Sequence, residues 1–147
     1  MIGTRAFTLL SVLVLASSTI YPLYIDAPHQ TYVTEFYAQS SKIPPHSQDE
    51  RSYYDRVRFD HKIQIVAIHA TISAMSDIHV QIWLEIQGMT KFFHVNSGTL
   101  GTANSDLSGI KVVVDEGRDI GLSYWCDNMA PNERDFHASI TIFYEVP

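Results

Sequence analysis

Apolar and polar residues alternate with a period of two along most of the second half of this chain, and that period confines it to β-structure. From Asp77 to Gln87, Ile78, Val80, Ile82, Leu84 and Ile86 fall on one side, and His79, Gln81, Trp83, Glu85 and Gln87 on the other. Phe136 to Val146 repeats the pattern, with Phe136, Ala138, Ile140, Ile142, Tyr144 and Val146 opposite His137, Ser139, Thr141, Phe143 and Glu145. Between them, Ile110 to Cys126 holds two alternating runs around the acidic turn Asp115-Glu116-Gly117-Arg118-Asp119. On the second run Ile120, Leu122, Tyr124 and Cys126 share one face, and Gly121, Ser123 and Trp125 the other. Successive side chains of a strand point to opposite faces, so each run reads as a strand with one face on a core.

Two further strands follow from composition. Lys62 to Ala74 carries apolar residues on both faces, as a central strand does, and Lys91 to Val95 returns after a tight turn permitted by Gly88. Ser76-Asp77 marks a turn, Ile110–Val114 and Ile120–Cys126 read as a hairpin, and the polar stretches Asn96–Gly109 and Asn128–Asp135 read as loops. About six strands with no helical periodicity predict an all-β fold, an antiparallel sandwich of jelly-roll type over residues 61–147.

Residues 1–60 read differently. Ala6 to Ala16 is apolar, follows Arg5 and precedes Ser17-Ser18, which fits either a secretory signal or a retained extended arm rich in β-branched and aromatic residues. It is too short to span a bilayer, which takes about 20 apolar residues. Tyr21, Tyr24, Tyr32, Phe36 and Tyr37 follow, and Pro22 and Pro28 favour extended backbone. Gln39 to Arg51, with Pro44-Pro45, reads as a linker. The aromatic arm must lie on its own sandwich or on a neighbour's.

Composition removes several functions. With 16 acidic against 10 basic residues, net charge −6, and no basic cluster, the chain lacks the positive face that a nucleic-acid partner demands. The lone Cys126 allows no internal disulfide and sits on the apolar side of its strand, where it reads as a packing residue. Seven histidines invite a metal; a hairpin would set His69 opposite His79, but no third ligand stands at a defined spacing. Asp115, Glu116 and Asp119 lack the spaced pattern of a calcium loop. No nucleophile elbow, phosphate loop or dinucleotide fingerprint occurs, so the expectation is no enzyme, no metal and no cofactor.

The hairpin residues Asp115, Glu116, Gly117, Asp119, Ile120 and Leu122 resemble the D-E-G-x-D-I-x-L hairpin before the closing strands of C1q/TNF-like jelly rolls. They are also similar to jelly-roll modules of viral capsid, decoration and fibre proteins. The resemblance covers Ile110 to Pro147 and implies a self-assembling structural protein. Trp83, Trp125 and Phe143 stand on the polar side of their strands, and exposed rings mark a covered face, an interface or a sugar-stacking platform. Together with Tyr21, Tyr24, Tyr32 and Tyr37 they are the predicted interface residues of a homo-oligomer, a trimer or larger ring, in a virion. The alternative is a secreted carbohydrate-binding module with Trp83 or Trp125 against a pyranose, cleaved near Ser17 or Ser18.

Overall fold

The computed structural model describes residues 30–98 and 101–147. The apolar run at residues 6–16, Tyr21 and Tyr24 lie outside the described residues. Eight strands follow one another: β1 (Thr31–Ile43), β2 (Ser47–Arg58), β3 (Ile63–Ala74), β4 (Ile78–Ile86), β5 (Met89–Asn96), β6 (Thr102–Val114), β7 (Asp119–Asn128) and β8 (Arg134–Glu145). They form two antiparallel four-stranded sheets of order β1-β8-β3-β6 and β2-β7-β4-β5. Every connection except β4–β5 carries the chain from one sheet to the other, which is the double Greek key of a jelly roll.

The alternation explains why the sheets pack. Ile78, Val80, Ile82, Leu84 and Ile86 from β4, with Ile120, Leu122, Tyr124 and Cys126 from β7, face Ile63, Ile65, Ile68, Ala70 and Ile72 from β3, and Phe136, Ala138, Ile140 and Ile142 from β8. These form one continuous core. Full burial of an aliphatic side chain contributes about 1.5–3 kcal/mol, so any one-residue slip of a strand, which would turn its whole set outward, is strongly disfavoured.

The first correction concerns residues 31–58. Phe36, Ala38 and Ile43 are buried core, β1 pairs with β8 along most of its length, and β2 pairs with β7. The stretch expected as arm and linker is therefore two strands of the sandwich, joined at Pro44-Pro45. Its alternation was masked because these are sheet-edge strands: β2 has only half-buried and exposed positions, and a bulge shifts its register between Arg51 and Asp55.

The second correction concerns pairing. β6 and β7 are not a hairpin: β6 pairs with β3, and β7 with β2 and β4. Both strands carry an apolar face that must meet a core, and crossing between sheets sets those faces toward each other. The acidic turn is the corner that makes the crossing. Gly117 takes φ +76°, and its N–H donates to the Phe59 carbonyl at 2.9 Å. By the same logic β3 and β4 lie in different sheets, so His69 and His79 are not opposite one another. The β4–β5 turn does fold as a hairpin, with Gly88 at φ +85°. Finally, β6 begins at Thr102, well inside the stretch read as a loop over residues 96–109, and is bulged near Gly109, which has φ +70°.

Candidate functional site

The predicted interface rings do not share one platform. Trp83 and Trp125 project from the outer face of the β2-β7-β4-β5 sheet, while Tyr37 and Phe143 project from the outer face of the opposite sheet. Tyr32 belongs to neither face. It closes one end of the sandwich.

Trp83 is the clearest departure from expectation, because its ring is only 3% exposed although it points away from the core. Neighbouring strands cover it. The Lys91 ammonium lies 4.3 Å from the ring centroid, His94 stands beside it at 6.4 Å, and Nε1–H donates to Glu85 Oε2 at 3.3 Å. Glu85 Oε2 also accepts from Ser123 Oγ at 2.6 Å, and Ser123 Oγ accepts the Tyr53 N–H at 2.8 Å. Tyr53 sits at φ +47° in the β2 bulge, so this chain of polar contacts pins a strained edge residue to the sheet. Trp83 is thus a local packing residue and offers no stacking surface. Partial desolvation, then the Lys91 charge, hold His94 below the ordinary imidazole range.

Trp125 is half-buried. Its ring meets His79 edge-on at 5.4 Å, and its register neighbours are Gln81 and Glu50. His79 is held by Asn96 Oδ1. Glu85, Gln81 and Glu50 bring hydrogen-bonding groups to this face, yet each histidine on it already has a partner.

The outer face of the β1-β8-β3-β6 sheet is flatter in chemistry. Val33, Phe143 and Ala67 lie in one register row, and Tyr37, Ser139 and Thr71 in another. Val33 and Tyr37 are each 58% exposed and Phe143 is half-buried. Tyr37 Oη donates to Glu35 at 2.5 Å, and His69 Nδ1 pairs with Asp106. Small hydroxyl and methyl groups make up most of the remainder.

At the end of the sandwich where β1 begins and β8 finishes, Tyr32 stacks on Tyr144 with centroids 5.6 Å apart, and Tyr144 meets Phe59 edge-on at 5.1 Å. Tyr32, His61, Tyr144 and Val146 line a cleft of ≈240 Å³. A second cleft of ≈150 Å³ lies between the β4–β5 turn and the end of β6, with Met89 and Val113 on its rim. Sequence reading missed this end because its parts come from both ends of the chain and from the β2–β3 connection. The only signal was the pair of tyrosines at 32 and 144.

The remaining polar clusters carry structure. Arg134 grips Asp77 through Nε and Nη2 at 2.8 and 2.5 Å, and Arg58 grips Asp119 at 2.8 and 2.9 Å. Both arginines hold their carboxylates below the usual range. Cys126 is fully buried and its thiol is pushed up to about 11, chiefly by burial. Among the described residues, no group of three or more histidine, cysteine or carboxylate side chains is placed to hold a metal ion.

No protein-family model matches the chain, and no curated protein does. Among solved structures, it is similar to a chain of the cyanophage Pam1 capsid asymmetric unit at 12% identity and a TM-score of 0.51, over 80% of this chain and 86% of that one. The Tobacco streak virus coat protein is similar at 9% identity and a TM-score of 0.41, over 84% and 91%. A chain from the disulfide-linked pili of Bacillus endospore appendages is similar at 12% identity and a TM-score of 0.39, over 86% and 100%. The likeness to the phage capsid chain is one of fold: the two chains share a β-sandwich.

Proposed function

We propose that this chain is a non-enzymatic structural subunit of a virion, a capsid-decorating or minor structural jelly-roll protein that associates with copies of itself. The observation that supports it most is the strand order β1-β8-β3-β6 over β2-β7-β4-β5, in a sandwich similar to a chain of a phage capsid asymmetric unit. The outer face bearing Val33, Tyr37 and Phe143 is the contact surface in this reading. Val33 and Tyr37 give it exposed apolar area whose removal from water favours association. The N-terminal segment, rich in tyrosine and aliphatic residues, ties the subunits together. Static light scattering on the full chain tests the reading: a mass at a small multiple of 16.6 kDa supports it, and a single-chain mass at every concentration contradicts it.

A second reading, an extracellular carbohydrate-binding module, rests on Trp125, whose half-buried ring is flanked by Gln81 and Glu50. It calls for glycan binding that Trp125→Ala abolishes, and for a secreted form shortened near Ser17 or Ser18. Glycan binding that survives Trp125→Ala, or none at all, removes it.

A further inference from the structure

The two edges of the β1-β8-β3-β6 sheet are finished differently. At β1, Tyr37 N–H donates to Asp55 Oδ2 at 2.8 Å, and the Gln39 carbonyl accepts from Tyr54 Oη at 3.0 Å. Both partners come from β2 of the other sheet, so side chains cap β1 where a further strand would dock. These bonds also reveal which residues turn their backbone outward. Tyr37 points away from β8, and the sense carries through the antiparallel registers Tyr37↔Ser139, Ser139↔Thr71 and Thr71↔Asn104. At the β6 edge, Thr102, Asn104, Asp106 and Ser108 therefore direct N–H and C=O off the sheet, while Ala103, Ser105 and Leu107 turn theirs to β3. Among the described residues no strand lies beside that edge.

The edges of the other sheet are blunted in their own ways. β2 is bulged and densely charged, and β5 is short and holds Lys91 at φ +38°. On β6 the bulge at Gly109 confines the regular edge to Thr102–Ser108. That stretch carries a single charge, Asp106, which pairs with His69. Its even-numbered side chains are exposed and its odd-numbered ones half-buried. The stretch also complements itself when reversed about Ser105. Asn104, whose amide donates, then faces the Asp106 carboxylate; Thr102 faces Ser108, and Leu107 faces the small Ala103. Each even-numbered residue meets another even-numbered one, so outward backbone groups meet outward backbone groups. Centring on Asp106 would oppose two carboxylates, and centring on Asn104 would run Ser108 past the start of β6.

We infer that Thr102–Ser108 of β6 pairs antiparallel with the same stretch of a second copy, across a two-fold axis at Ser105. This rests on the self-association proposed above and adds to it a contact separate from the Val33–Tyr37–Phe143 face. The two β1-β8-β3-β6 sheets become one continuous sheet, joined β6 to β6. The contact is isologous, so it closes on itself and joins copies in pairs. Its affinity comes from the outward backbone groups, and its register from Asn104 against Asp106. The capped β1 edge keeps the opposite side of the same sheet from pairing in this way.

Disulfide trapping in the full chain tests the inference. On the axis, the two copies of Ser105 form a non-hydrogen-bonded pair with Cα atoms about 4.5 Å apart, within disulfide reach. The two copies of Thr102 stand about six residues apart along the ladder, on the order of 20 Å. Buried Cys126 stays out of the exchange. Under mild oxidation Ser105→Cys is expected to give a linked species of twice the chain mass, lost on reduction. Thr102→Cys, although more exposed, is expected to give little of it. In the Ser105→Cys chain, Asn104→Asp sets carboxylate against carboxylate and should lower trapping several-fold. Adding Asp106→Asn exchanges the two partners and should restore it, with melting temperatures confirming that each variant is folded. Equal trapping at residues 102 and 105, or trapping that Asn104→Asp leaves unchanged or that the exchange does not restore, overturns the inference. Light scattering on the unaltered chain separates the two proposals: multimers without selective trapping at residue 105 leave self-association standing and remove the β6 contact, and single chains at every concentration remove both.

Discussion

The ammonium of Lys91 lies 4.3 Å from the centroid of the Trp83 ring, and this contact covers a tryptophan that projects from the outer face of its sheet. Lys91 itself sits at φ +38°, a conformation that costs a non-glycine residue energy, so the contact is held against backbone strain. Lys91→Gln keeps the backbone cost and removes the charge. It is expected to lower stability by about 0.5–1 kcal/mol. In a Trp125→Phe background it should also raise quenching of Trp83 by acrylamide, an uncharged quencher, and the His94 titration midpoint should move up as the second cause of its depression is removed. Unchanged quenching and an unchanged His94 midpoint would contradict the arrangement.

Asn128 fastens the β1–β2 and β7–β8 connections together. Its amide nitrogen donates to the carbonyls of Ile43, Pro44 and Asn132 at 3.0, 3.0 and 2.9 Å, and its Oδ1 accepts the Ala130 N–H at 3.0 Å. The side chain is fully buried, so Asn128→Ala strands several backbone groups without partners. A loss of about 1–3 kcal/mol in chemical denaturation is expected, and Asn128→Asp should do at least as badly because it adds a buried charge and removes the donors. Wild-type midpoints for both variants would refute this role.

Cys126 should be chemically silent in the folded protein. Its thiol is pushed up to about 11 by burial, against an ordinary value near 8.5, and the ring-filled core around it excludes reagent. Iodoacetamide at about pH 8 is expected to leave the native chain unmodified and to label it fully in denaturant. Native labelling at the rate of a free thiol would show that the sheets open there.

Acid should destabilise the sandwich through two ion pairs. Arg134 and Arg58 hold Asp77 and Asp119 below the usual carboxylate range. A folded-state value below the unfolded one gives stability that is present above the unfolded value, about 3.9, and is lost as pH falls through the folded value. The melting temperature is therefore expected to stay level down to about pH 5 and to fall below that, with a shallower fall in Asp77→Asn. An identical acid slope in that variant would rule out the Arg134 pair as a source.

The sequence made parts of this molecule legible for physical reasons that its residues state plainly. β4, β7 and β8 were readable because one face of each is core and the other is largely polar, so hydropathy alternates cleanly. β1 and β2 were not, since edge strands bury few side chains and β2 places none fully in the core. Pairing was misread at β6–β7 because a short glycine turn looks alike whether it closes a hairpin or crosses between sheets. The choice depends on where Ile110 and Val112 find partners, and that is β3, far away in sequence. The outward position of Trp83 was legible, but its cover was not: Lys91 and His94 come from the adjacent strand in a register no local pattern specifies.

The central claim is that this jelly roll assembles with copies of itself and that its N-terminal segment ties the copies. Light scattering coupled to size exclusion, on the full chain and on a chain lacking residues 1–29, addresses it most directly. Removal stops short of β1, so all core strands remain. The full chain is expected at a small multiple of 16.6 kDa and the shortened chain at a lower multiple or as a single chain. A full-length chain that stays single at every concentration would contradict the account.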